Sequence, residues 1–172
     1  MKACAVSFGS LQPITALRRT PVCPFEKIEY AIIEAAIASY VRTDRVPAFT
    51  DVLTMSDWYS LFPDEPDCVD TGYKWPEKFP NAGKAGVYLI FDSAMSLLYI
   101  GMTTRDLNNR LGNYFGYVNG RGSGSLVKAN MLPPWKKGPY YIRTIPAMHS
   151  EEAPILESYL IKTLKPPENS RR

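Results

Sequence analysis

The sequence predicts an α/β domain of the α+β kind over residues 83–172, in the order β-β-α-β-α, preceded by a mainly helical region of unassigned role over residues 1–82. Three observations carry that expectation. After residue 83, short apolar runs of strand length alternate with turn residues, whereas the first half shows helical periodicity. The charge balance changes at the same place: residues 1–82 hold 8 Lys+Arg against 11 Asp+Glu, and residues 83–172 hold 12 against 6. Between the halves, Pro63-Asp64-Glu65-Pro66-Asp67, Pro76 and Pro80 punctuate a linker-like stretch up to Gly83.

The elements follow in order. Residues 1–24 contain Pro13, Pro21 and Pro24 and read as a loosely ordered lead-in. Phe25–Thr43 reads as a helix with Ile28, Ile32, Ala35, Ala36 and Ser39 on one face, widened by Ile33, Ile37 and Tyr40. Pro47 is expected to open a second helix reaching about Phe62, since proline is tolerated in a first helical turn. Gly86–Phe91 and Leu97–Ile100 then form a hairpin around Asp92-Ser93-Ala94-Met95-Ser96. Thr103 or Thr104 is placed to cap the next helix, with Asp106 in its first turn, where the dipole favours an anion. Leu107, Leu111, Tyr114 and Phe115 form the apolar stripe of that helix. A glycine-rich loop follows over 116–124. Tyr140–Ile145 is the third strand, and a last helix opens at Ser150 or Pro154 and closes before Pro166.

Composition excludes several classes. Cys4, Cys23 and Cys68 are odd in number and widely spaced, and His149 is the sole histidine, so neither a disulfide framework nor a zinc site is implied. The free thiols suit a reducing, cytoplasmic setting. No apolar run approaches the ~18 residues of a membrane span. The N-terminal stretch is too broken for a secretory signal, although its lack of acidic residues before Glu26 is compatible with a transit peptide. The basic second half points to a polyanionic partner.

The residues that can carry chemistry lie in that half. The hairpin sets Tyr88 and Tyr99 on neighbouring strands. Arg110 precedes Tyr114 by one helical turn, so both project from the same side of their helix, where a guanidinium can brace a phosphate bidentately or lie exposed over a core edge. Glu157 shares a helical face with Leu160, Ile161 and Leu164, an uncommon place for a carboxylate because an unpaired buried charge is costly. A single carboxylate completed by water suits Mg²⁺ or Mn²⁺. Asn169 follows just beyond Pro166-Pro167.

In this order Gly86-Val87-Tyr88, Tyr99-Ile100-Gly101, Arg110, Tyr114, Glu157 and Asn169 resemble the GIY-YIG nucleases, over about residues 83–170. The likeness extends to NNRLGNYF around the arginine and LESYLIKTLKPPEN around the glutamate. The resemblance implies a small three-stranded antiparallel sheet flanked by helices. It also implies a metal-dependent phosphodiesterase acting on DNA and leaving 5′-phosphate and 3′-hydroxyl ends. In that scheme Tyr88 activates water, Tyr99 positions water and phosphate, and Arg110 stabilises charge developing on phosphorus. Tyr114 supports the nucleophile, Glu157 holds the metal, and Asn169 orients the substrate or its surroundings. A module of the same fold that binds nucleic acid or protein without cutting is the alternative.

Two departures from the family pattern stand out. Met102-Thr103-Thr104-Arg105 adds a residue between the second tripeptide and the arginine helix, which leaves Arg105 competing with Arg110, and no lysine lies near that tripeptide. No helix-turn-helix or zinc pattern is legible, so DNA recognition is expected from Arg105, Tyr117, Arg121, Lys128, Lys136 and Lys137, with Trp135 among them. The acidity of residues 1–82 argues against their touching DNA.

Overall fold

The computed structural model describes residues 24–63, 71–118, 121–122 and 138–169. Helix α1 (Pro24–Thr43) begins on a proline, which suits a first helical position. Its buried face is Ile33, Ala36, Ile37 and Tyr40, while Ile32 is 52% exposed and Ala35 faces solvent. The expected face is thus rotated towards Ile33. Ala31, Ile32, Ile33, Ala35, Ala36, Ile37 and Ala38 make the helix apolar nearly all round, so packing rather than periodicity selects the side.

No second helix follows Pro47. Residues 51–58 form no helix and lead without regular structure into β1 (Tyr59–Ser60). The reason is tertiary: Ser56 N–H donates to Thr144 O (2.8 Å), Leu61 N–H donates to Tyr140 O (3.0 Å), and Thr144 N–H donates to Ser56 Oγ (2.9 Å). Leu53, Trp58 and Leu61 bury their side chains, and aromatic residues fit a pleated surface well. β2 (Tyr73–Lys74) lies parallel to β1.

β3 (Gly86–Phe91) and β4 (Leu97–Thr103) form the expected hairpin. Asp92 closes its turn by accepting from Ala94 N–H (3.0 Å) and Ser96 N–H (2.9 Å). β3 also pairs antiparallel with β7 (Tyr141–Pro146), giving the three long antiparallel strands. β1 joins the far side of β7, so the sheet is five-stranded and mixed, in the order β2-β1-β7-β3-β4. Two short strands from before residue 82 therefore extend the trio.

Helix α2 (Leu107–Phe115) takes its cap from Asp106, not from Thr103 or Thr104. The Asp106 carboxylate accepts from Asn108 N–H (2.9 Å) and from Gly83 N–H (2.7 Å). Thr103 Oγ1 instead accepts from Arg105 N–H (3.2 Å). The glycine-rich segment forms part of a hairpin, β5 (Tyr117–Val118) with β6 (Arg121–Gly122). Helix α3 (Glu152–Leu164) buries Glu152, Ala153, Leu156 and Leu160.

Strand alternation splits the interior into two layers. Val87, Leu89, Phe91 and Ile100 pack under α1 and α3 with Ile33, Tyr40, Leu156 and Leu160. Tyr88, Ile90 and Tyr99 face the other way, beneath Leu107, Leu111, Tyr114 and Phe115 of α2. A strap from Trp75 to Phe79 closes the second layer, with Phe79 4.5 Å from Tyr59 and 6.1 Å from Phe115 between ring centroids.

Candidate active site

Four of the six site residues expected from the sequence converge in the α2 layer. The Tyr88 ring centroid lies 6.2 Å from that of Tyr99 and 6.0 Å from that of Tyr114. Tyr88 O–H donates to Tyr114 Oη at 3.4 Å, and an Arg110 Nη2–H donates to the same oxygen at 3.2 Å. The Arg110 guanidinium also sits 5.1 Å from the Tyr114 ring centroid, in range of a cation–π contact. Two donors thus meet on one phenol oxygen. Arg110 and Tyr114 reach it together because they are four residues apart on α2.

Gly101 makes the arrangement possible. It lies opposite Tyr88 in the β3–β4 register, and a Cβ there would stand 2.4 Å from the Tyr88 hydroxyl oxygen. The last residue of the second tripeptide is thus the slot that admits the ring of the first. Gly86 is constrained similarly, since a Cβ would stand 2.2 Å from Ile145 O. The hairpin register, legible in the sequence, was the signal that could have identified Gly101.

The electrostatics depart from a ready-made base. Burial first, then the hydrogen bond to Tyr114 and the nearby phenols, push Tyr88 well above the usual phenol range, while Arg110 pulls against that shift without overcoming it. Tyr88 is therefore a neutral phenol at neutral pH. Its hydrogen bond raises Arg110 above the ordinary arginine value, so the guanidinium stays charged.

Glu157 and Asn169 come from α3 and its C-terminal extension. α3 packs on β4 and β3 from the face opposite the phenols, and Glu157 is half-buried there. The buried stripe of α3 runs through Glu152, Ala153, Leu156 and Leu160; Ile161 and Leu164 are partly buried against the same core. Asn169 grips the backbone of Ile100: its Oδ1 accepts from Ile100 N–H (2.8 Å) and its Nδ2 donates to Ile100 O (2.7 Å). Glu168 N–H donates to Leu98 O (3.0 Å), so the tail braces β4 on both sides of Tyr99. Among the described residues no group of three or more His, Cys, Asp or Glu side chains gathers to hold a metal. His149 is exposed and stacks on Phe49 at 5.0 Å. Of the expected nucleic-acid contacts, Arg105 is exposed and Tyr117 and Arg121 lie on the small hairpin. Lys128, Trp135, Lys136, Lys137 and the three cysteines lie outside the described residues.

Comparison with known proteins agrees with this geometry. The family model for the GIY-YIG catalytic domain matches residues 84–171, just over half the chain. The chain belongs to the GIY-YIG family. Its similar relatives are UvrABC system protein C of Hahella chejuensis, 41% identical over 87 residues, and of Pseudomonas fluorescens SBW25, 38% over 88 residues. The same protein of Helicobacter pylori G27 is 33% identical over 93 residues. These alignments cover 50%, 51% and 54% of this chain but only 13%, 13% and 15% of the relatives. No solved structure matches the chain. The GIY-YIG domain is thus a nuclease-type catalytic domain by sequence and architecture, joined here to strands and a helix that precede residue 84. No helix of the described residues is long and apolar enough to cross a membrane.

Proposed function

We propose that this GIY-YIG chain is a divalent-metal-dependent endonuclease that hydrolyses DNA phosphodiester bonds, leaving 5′-phosphate and 3′-hydroxyl ends. The observation that carries the reading is the convergence of Tyr88 and Arg110 on Tyr114 beside Tyr99. A charged guanidinium held against a phenol cluster is suited to stabilising negative charge on a phosphorane-like transition state. Tyr99 orients the attacking water. Tyr88 takes the proton of that water only once its own has been lost to solvent, a loss that burial opposes.

A lone carboxylate completed by water is compatible with a hard divalent cation. Glu157 would hold Mg²⁺ or Mn²⁺ as a single carboxylate, and such an ion retains most of its own water. When bound, the ion acidifies water and offsets charge on the leaving oxygen. Asn169 fixes β4 and with it the position of Tyr99.

The test is cleavage of duplex, branched and single-stranded DNA by the purified chain with Mg²⁺ or Mn²⁺. Cutting is expected, with Arg110→Ala slowed about 100-fold or more, the scale of losing one charge-stabilising group. Glu157→Ala cutting as well as the parent would refute the metal assignment. The burial that pushes Tyr88 upward and weakens it as a base at neutral pH favours one other reading, a domain that binds nucleic acid without cutting it. Salt-sensitive binding with no cleavage on any substrate would select it.

A further inference from the structure

The strap between residues 71 and 84 precedes the family match but for its last residue, and it is bonded to the first turn of α2 at three points. Phe79 N–H donates to Asn108 Oδ1 (3.1 Å), Gly83 N–H donates to Asp106 Oδ1 (2.7 Å), and Leu107 N–H donates to Lys84 O (2.9 Å). These bonds bring Lys78, from the acidic half of the sequence, and Lys84, from the start of the basic half, to the helix that bears Arg110. Both lysines are exposed, as are Arg105 and Arg110, and none forms an ion pair among the described residues. Against these four cations stand Asp106, which caps two backbone N–H groups, Glu77, the only carboxylate between residues 71 and 84, and Asp51, which lines a cavity with Lys84 but is paired with Arg45.

The opposite face of the sheet is different. There the exposed Arg42, Lys162 and Lys165 stand among the exposed Glu34, Asp44 and Glu151. Lys84, Arg105 and Arg110 belong to the basic half of the sequence, and folding adds Lys78 from the acidic half to the same face.

We propose that Lys78 and Lys84, with Arg105 and Arg110, form a rim around the first turn of α2 that contacts the phosphate backbone of duplex DNA and leads it to the phenol cluster. The inference rests on the endonuclease reading and deepens it. Each phosphate neutralised releases counterions, so the rim makes a quantitative prediction about salt dependence.

The test uses the full chain in EDTA with a fluorescein-labelled duplex of about 20 bp, roughly two helical turns. Affinity is measured by anisotropy across a salt series for the parent, for Lys78→Gln/Lys84→Gln, and for Arg42→Gln/Lys162→Gln. The last pair removes the same charge from the other face, and all four side chains are exposed, so folding is preserved. The rim pair is expected to flatten the slope of log K against log salt by about 2, at roughly 0.9 per contact. The control pair is expected to leave it unchanged. Equal losses in both pairs, or none in the rim pair, would overturn the rim while leaving the endonuclease reading intact if the parent still cuts DNA. A parent that neither binds nor cuts DNA would overturn both.

Discussion

Gly101 acts through the side chain it lacks. The Tyr88 ring crosses its Cα so closely that one methyl group would strike the hydroxyl, and Tyr88 is fully buried with nowhere to retreat. Gly101→Ala is expected to destabilise the domain by about 1–3 kcal/mol, the scale of overpacking a filled core. It is also expected to cut cleavage by about 100-fold, because Tyr88 and Tyr114 lose their register. Urea unfolding and initial rates measure the two effects, and an unchanged rate would remove the slot from the mechanism. Tyr40 shows a second residue-scale effect. Burial, reinforced by the Glu152 charge, pushes its hydroxyl up to about 12. An unfolded phenol titrates near ~10, so the folded state holds the proton more tightly. The stabilisation is fully present below pH ~10 and is lost as pH rises from there through the folded value. Tyr88 acts with the same sign. Tyr40→Phe should flatten the fall in the urea midpoint between about pH 9 and pH 11; an identical fall in the variant would contradict it.

At the scale of elements, α3 is held at both ends. At its start Arg45 forks onto Glu152, with Nε 2.6 Å from Oε1 and Nη2 3.0 Å from Oε2. The same guanidinium reaches Asp51 at 2.9 Å. Glu152 is fully buried, so removing its partner leaves an uncompensated charge in the interior. Arg45→Met is expected to cost about 3–5 kcal/mol, while Arg45→Met/Glu152→Leu recovers most of that because two apolar groups need no partner. A double variant no more stable than the single one in chemical denaturation would contradict this account. At the other end Asn169 completes the edge of β4. Asn169→Ala should cost about 1–2 kcal/mol, two ordinary hydrogen bonds, and Asn169→Asp at least as much, because its second carboxylate oxygen would face the Ile100 carbonyl acceptor to acceptor. An Asn169→Asp variant as stable as the parent would show that the side chain acts otherwise. The sequence placed the helix and the asparagine, but nothing in it indicated that Asn169 would clasp Ile100.

At the scale of the molecule, the segment before residue 84 shares the sheet and one core layer with the GIY-YIG domain. β1 covers the outer edge of β7, and α1 lies beside α3 over Phe91 and Leu97. A fragment of residues 84–172 would expose that edge and the apolar face beneath α1, the conditions for strand-edge association. It is expected to elute as aggregate and to melt without a cooperative transition, by size-exclusion chromatography and thermal circular dichroism. A monomeric fragment with a sharp melt would show that the earlier elements are dispensable.

What was legible follows from range. The β3–β4 hairpin, the stripe Leu107, Leu111, Tyr114 and Phe115, and the pairing of Arg110 with Tyr114 depend on residues within a turn or a hairpin of each other, and the sequence by itself determined them. The sequence could not determine the non-helical run at 51–58, which is held by bonds between Ser56 and β7 residues more than eighty positions away. The side on which α1 is buried was open for the same reason, since an all-round apolar helix has no preferred face until a partner arrives. Tertiary structure alone decided that Tyr88 would be a buried neutral phenol, that Asn169 would brace β4, and that Lys78 and Lys84 would stand beside Arg110. Burial, strand-edge pairing and the charge of a surface all depend on which distant residues meet.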